Sequence, residues 1–128
     1  MTRNRAHYTH KDANHDIVKE FMQYGCGGFT IAPKELRGNT LAYTANYHGH
    51  KFLAIDMANY GGVIVDWFIT CVDNGNTCWI EVKTPEAYKQ PEHSITDGEA
   101  WLMHNTGNVI VAVTTEDIQE IFEAMSYE

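Results

Sequence analysis

The chain has 128 residues, 44% of them hydrophobic, which suits one domain with a single core and leaves too little for a second. Nine Lys and Arg against seventeen Asp and Glu leave a net charge of −8, which counts against binding phosphate backbones by charge alone. No apolar run approaches the roughly 18 residues of a membrane span, and the polar start Met1-Thr2-Arg3-Asn4-Arg5 leads into no export signal. The three cysteines Cys26, Cys71 and Cys78 contain no CxxC pair, so neither a disulfide framework nor a cysteine-rich zinc site is expected.

Residues 1–11 carry Arg3, Arg5 and Lys11 with His7 and His10 and no acid, and read as a flexible basic arm. From Asp12 to Tyr24 the apolar residues Ile17, Val18, Phe21 and Met22 recur at helical spacing, and Gly25 supplies a stop. Leu41–Tyr47 and Phe52–Ile55 form an expected hairpin around His48-Gly49-His50, after a loop at Pro33–Asn39. Segments 63–72 and 77–83 form a second hairpin. The polar stretch Thr84–Ser94, with Pro85 and Pro91, cannot continue a central strand. A helix then opens at Thr96-Asp97-Gly98-Glu99 and runs to about Asn105, Val109–Val113 is an apolar run suited to a buried strand, and a last helix follows a Thr114 or Thr115 cap. Its Ile118, Ile121, Phe122 and Met125 share one stripe, a surface for closing the core or for packing a second copy. This order predicts an α/β chain with a mixed sheet flanked by helices.

The central hairpin concentrates the chemistry. Asn74-Gly75 between two apolar runs signals a two-residue turn, which would set Phe68 against Glu81 and Asp66 against Lys83. Asp66, Phe68, Glu81 and Lys83 then share one face, and Val65, Trp67, Ile80 and Val82 the other. In that register Glu81 is the diagonal neighbour of Asp66, roughly 7–8 Å away, and Cys71 lies opposite Cys78. Asp66 interrupts an apolar stretch, where a carboxylate needs a partner, an ion or a strand end. Two carboxylates, a nearby backbone carbonyl and water make a hard shell suited to Mg²⁺ or Mn²⁺. Lys83 would stabilise charge building on a phosphate. The plainer reading of these three is a solvated strand face with weak ion pairs.

Asp66 with Glu81-Val82-Lys83 resembles the split acid and Glu-X-Lys motif of the PD-(D/E)XK nuclease superfamily. The likeness extends to its small phage-type, VRR-NUC-like branch, related to Holliday-junction resolvases, through Asp12-Ala13-Asn14-His15-Asp16, Gly61-Gly62 before Asp66, and Ile95-Thr96-Asp97-Gly98-Glu99. Two features depart from the pattern: Val65 stands where proline is frequent, and residues 26–60 are longer than expected. The resemblance implies a restriction-endonuclease-like αβββαβ core with an extra hairpin after the first helix, forming a single nuclease-like domain over 1–128. It implies a metal-dependent DNA endonuclease acting on structured or branched DNA in the cytoplasm of a bacterial or phage-infected cell. Asp66, Glu81 and the Val82 carbonyl would hold the metal, Lys83 would be the catalytic lysine, and Asp16 the first-helix acid completing the site. A single site per chain would favour a homodimer for cutting two strands.

Each remaining candidate has a simpler role. Asp16 is also an ordinary first-turn acid, Asp12 a helix cap, and Thr96-X-X-Glu99 a capping box rather than a site contact. His48 and His50 fit a turn better than a metal site. His10 and His15 fit the surface. Trp67, Trp79 and Trp101 could stack on bases, but core or interface positions explain them more simply. A catalytically silent nuclease fold that binds protein or DNA is the alternative function, and hydrolysis of RNA a third.

Overall fold

The computed structural model describes residues 14–57, 65–88 and 97–127. Their elements run α1 (Ile17–Tyr24), β1 (Thr30–Ile31), α2 (Lys34–Arg37), β2 (Leu41–Tyr47), β3 (His50–Asp56), β4 (Trp67–Cys71), β5 (Thr77–Val82), α3 (Pro85–Tyr88), α4 (Asp97–Thr106), β6 (Val109–Ala112) and α5 (Thr115–Ser126). The strands form one six-stranded sheet in chain order. Neighbours from β1 to β5 are antiparallel, and β6 lies parallel to β5. A parallel neighbour needs a crossover connection, and the chain between β5 and β6 contains α4. The expected mixed α/β architecture is therefore present. The basic arm, Asp12, His10 and the Gly61-Gly62 pair lie outside the described residues, as does Thr96 with its capping box.

Alternation along the strands builds the core. Tyr43, Ala45 and Tyr47 of β2, Phe52 and Ala54 of β3, Trp67 and Ile69 of β4, and Ile80 and Val82 of β5 are all buried. They meet Ile17, Val18, Phe21 and Met22 of α1 and Ile118, Ile121, Phe122 and Met125 of α5 in one cluster. Phe122 anchors the joint, stacked on Phe52 at 4.3 Å and edge-on to Phe21 at 4.9 Å. The stripe on α5 thus closes the core and is not left for a second copy. Thr114 is the cap of α5: its hydroxyl accepts from the Asp117 N–H at 3.2 Å while Asp117 accepts from the Thr114 N–H at 3.1 Å.

The first hairpin matches its sequence signal. His48 (φ 49°) and Gly49 (φ 83°) both adopt the left-handed region that a tight two-residue turn requires, and Tyr47 pairs with His50. The second hairpin does not have the expected turn. Its loop spans 72–75, with Gly75 (φ 79°) donating to the Cys71 carbonyl and Cys71 donating to Asn76. Phe68 consequently pairs with Trp79, not Glu81, and Cys78 with Ile69, not Cys71. The slip is even, so the side chains of β4 and β5 keep their predicted faces. Side chains explain the wider loop: Asn74 caps its own turn through Asn76 N–H, and the Asn74 and Asn76 amides both donate to Met125 O at 2.8 Å. The turn is tied to the end of α5, a contact that local propensity does not reveal.

Three smaller expectations are corrected. The loop at 33–39 contains the single-turn helix α2, and a short strand β1 precedes it. β6 is an edge strand with Ile110 43% exposed, not a fully buried one. Gly25 ends α1 at φ −87°, so its conformation is open to any residue; a Cβ there would collide with the Phe21 ring and carbonyl. Gly25→Ala is therefore expected to cost about 1–3 kcal/mol, the usual penalty of overpacking, read as a lowered urea midpoint with an unchanged slope.

Candidate functional site

Four chain segments meet at one end of the sheet. β3 finishes there at Asp56, β4 begins just after Asp66, and β5 finishes at Glu81-Val82 before Lys83. The turn preceding α1 covers this end through Asn14, whose amide donates to Lys83 O at 2.6 Å and Val113 O at 3.0 Å. Among the described residues the buried polar or charged side chains are His15, Asp56, Asp66, Glu81 and Lys83, and this end of the sheet holds all of them. Ionised groups cost several kcal/mol each to withdraw from water, so their collection in one place requires mutual compensation.

Asp66 is held by the backbone of β5. Its N–H donates to Ile80 O at 3.1 Å, and its Oδ2 accepts from Val82 N–H at 2.8 Å. It thereby grips β5 on both sides of Glu81. The register ends at Trp67↔Ile80, and the Asp66 N–H bond to Ile80 O keeps Asp66 beside Ile80, whereas the two-residue turn would have set it across from Lys83. Glu81 is 1% exposed, and its Oε2 lies 3.5 Å from Lys83 Nζ. A lysine beside a buried carboxylate offsets its charge while keeping a mobile cation at the site.

His15 links the remaining acids. Its Nε2 is 2.9 Å from Asp56 Oδ1 and its Nδ1 3.5 Å from Asp66 Oδ1. The ring lies stacked on Trp67 with centroids 5.1 Å apart, and Trp67 Nε1 donates to the His15 carbonyl at 3.0 Å. Burial alone would lower the imidazole pKa, but the hydrogen bonds and charges of Asp56 and Asp66 override it and raise it to about 9. At neutral pH His15 therefore carries a positive charge between Asp56 and Asp66.

The structure gathers Asp66, Glu81, Val82 and Lys83 as the sequence predicts. Asp16 is placed apart: it is exposed at the N-cap position of α1 and its side chain makes no capping bond. The inward position of that helix start belongs to His15, which is 7% exposed and not on the surface as expected. His15 and Asp56 are the residues that sequence reasoning missed. A signal for Asp56 was present, since it continues the alternation of Phe52 and Ala54 onto the core face, where a carboxylate needs a partner. Glu99 falls within α4, with its side chain outside the described residues. Trp67 is core, Trp79 packs on Phe68 at 4.7 Å, and Trp101 is 62% exposed. His50 sits at the other end of β3, 3.5 Å from Asp73.

Other chemistries find little support. Burial pushes the Cys26 and Cys78 thiols up to about 11, so neither is a thiolate nucleophile at neutral pH. Cys26, Cys71 and Cys78 are free. A cleft of about 480 Å³ lined by Gly75, Cys78, Ile110 and Met125 lies at the far end of β5 and shares no residue with the ionisable cluster. No helix among the described residues is long and apolar enough to cross a membrane. Comparison with models of known protein families, with curated proteins and with solved structures gives no match.

The raised pKa of His15 has a consequence for the metal-free protein. Because the folded value, about 9, lies above the ordinary 6.5, His15 contributes stability fully below about pH 6.5 and loses it as pH rises through 9. Melting temperature should fall across that window in the wild type, and the fall should be smaller in His15→Gln, measured by thermal scans at constant ionic strength.

Proposed function

We propose that the chain is a metal-dependent endonuclease that hydrolyses phosphodiester bonds, with Asp66, Glu81 and Lys83 as its catalytic group. The observation that carries this reading is the burial of all three at one sheet end, with Asp66 held by the Val82 N–H that follows Glu81 and Lys83 Nζ 3.5 Å from Glu81 Oε2. The element order supports it: α1, the antiparallel β3, β4 and β5, then α4 and the parallel β6 follow an αβββαβ pattern. In the PD-(D/E)XK reading β1, α2 and β2 are the additional elements after the first helix.

The donor set fits a hard divalent cation, Mg²⁺ or Mn²⁺. Among the described residues no three His, Cys, Asp or Glu side chains form a complete metal site. Asp66, Glu81 and the Val82 carbonyl would hold the ion and leave positions for water and substrate. The ion when bound supplies polarisation of a phosphoryl oxygen and acidification of a water. The chain's own residues do the rest. Lys83 places a positive charge where negative charge builds on the phosphate, and the tie of Asp66 to the Val82 N–H keeps one carboxylate preorganised. DNA, structured or branched, is the substrate that the resemblance favours, with a homodimer for paired cuts.

A competing reading is a catalytically silent fold whose cluster is structural. The observation in its favour is that His15 already supplies a cation beside Asp66.

The two readings part on the cleavage of labelled single-stranded, duplex, flap and four-way-junction DNA with Mg²⁺ or Mn²⁺. Asp66→Asn, Glu81→Gln and Lys83→Ala should each lower the rate by at least about a hundredfold, and EDTA should stop it. Mn²⁺ should raise the melting temperature of the wild type and much less that of Asp66→Asn. A folded protein that binds no metal and cuts none of these substrates would favour the silent fold.

A further inference from the structure

Two of the groups that meet the Asp66 carboxylate come from different parts of the fold, one from the sheet and one from the start of the first helix. Val82 N–H fixes Oδ2 at 2.8 Å, whereas Oδ1 faces His15 Nδ1 at 3.5 Å. The terminal torsion of an aspartate is broad and poorly set by its own rotamer preferences, so the groups that its oxygens meet decide the plane of the carboxylate. The histidine that meets the second oxygen is itself held at every point from which it could move. Asp56 takes its Nε2 at 2.9 Å, the Trp67 ring lies against its face, Trp67 Nε1 binds its carbonyl, and Asn14 ties the preceding residue to the ends of β5 and β6. Asp56 fixes the ring's orientation by engaging the nitrogen that does not face Asp66, the arrangement by which outer carboxylates orient histidines at functional sites.

We propose that His15 and Asp56 are positioning residues that set the orientation of the Asp66 carboxylate, and through it the cation affinity of the site. This rests on the reading of Asp66 as a metal ligand, but the positioning can be observed without any metal. Because Val82 N–H is bonded to Asp66, its amide proton reports where that carboxylate sits. Among side chains of nearly the same reach, Asn places its amide nitrogen where histidine has Nδ1, and Gln where it has Nε2. His15→Asn therefore keeps a donor toward Asp66, His15→Gln keeps only the contact with Asp56, and Asp56→Asn leaves the ring without its carboxylate.

The experiment records the Val82 amide resonance and its hydrogen exchange in the metal-free proteins, and Mn²⁺ binding by calorimetry. In His15→Gln and Asp56→Asn the Val82 amide should shift and exchange faster, and Mn²⁺ affinity should fall about 10- to 100-fold. His15→Asn should recover part of both. An unchanged Val82 amide and unchanged Mn²⁺ affinity in His15→Gln would overturn the proposal. So would equal losses in His15→Asn and His15→Gln, which would mean that the bulk of the ring matters and not its Nδ1. If His15→Gln does not fold, Asp56→Asn decides by the same readouts. A wild type that binds no Mn²⁺ would overturn the metal reading and the effect on affinity, while the Val82 amide would still decide the positioning of Asp66.

Discussion

Withdrawing ionised groups from water is the costliest demand this sequence makes on its fold. A carboxylate taken into the interior loses several kcal/mol of hydration, recovered only through close partners. Here Asp56, Asp66 and Glu81 are buried within one sheet end, and the compensation comes from elements far apart in the chain: His15 from the start of the first helix and Lys83 from the exit of β5. The position of α1 is therefore set by charge at one end and by apolar contact along the rest of its length. Phe21 against Phe122 fixes its middle, and Asn14 with His15 fixes its start.

Charge compensation and catalytic competence ask for related geometries. A metal site needs carboxylates held close together against their repulsion, and a protein without the metal must offset that repulsion by other means. The His15 imidazolium and the Lys83 ammonium do so in this structure, one between two aspartates and the other beside Glu81. In the proposed endonuclease the two would serve different tasks, Lys83 beside Glu81 facing developing charge and His15 between the two aspartates, against Trp67.

How much of this was legible in the sequence depended on the range of the interaction concerned. Local patterns gave the two hairpins, the stripe of α5 and the face of every residue in β4 and β5. They failed on the loop 72–75, because Asn74 and Asn76 are satisfied by Met125, across the molecule. An even slip preserved the faces of β4 and β5, so Asp66, Glu81 and Lys83 still fall at one end of the sheet although the pairing differs. His15 and Asp56 lie 41 positions apart, and no periodicity connects them. The acid chosen from the first helix, Asp16, follows the family pattern by one position, yet in a helix one position is about a hundred degrees of rotation. That turn separates an exposed cap from a buried ring.

The bond from Asn14 to Val113 spans 99 positions, and the one to Lys83 spans 69. Closing such separations brings no reward until the intervening chain is in place, so contacts of this range are gained slowly. During synthesis the hairpin carrying Asp66 and Glu81 leaves the ribosome well before the strand that completes their surroundings. A growing chain therefore presents its acids, but not the strapped end of the sheet, until β6 has been made and has docked.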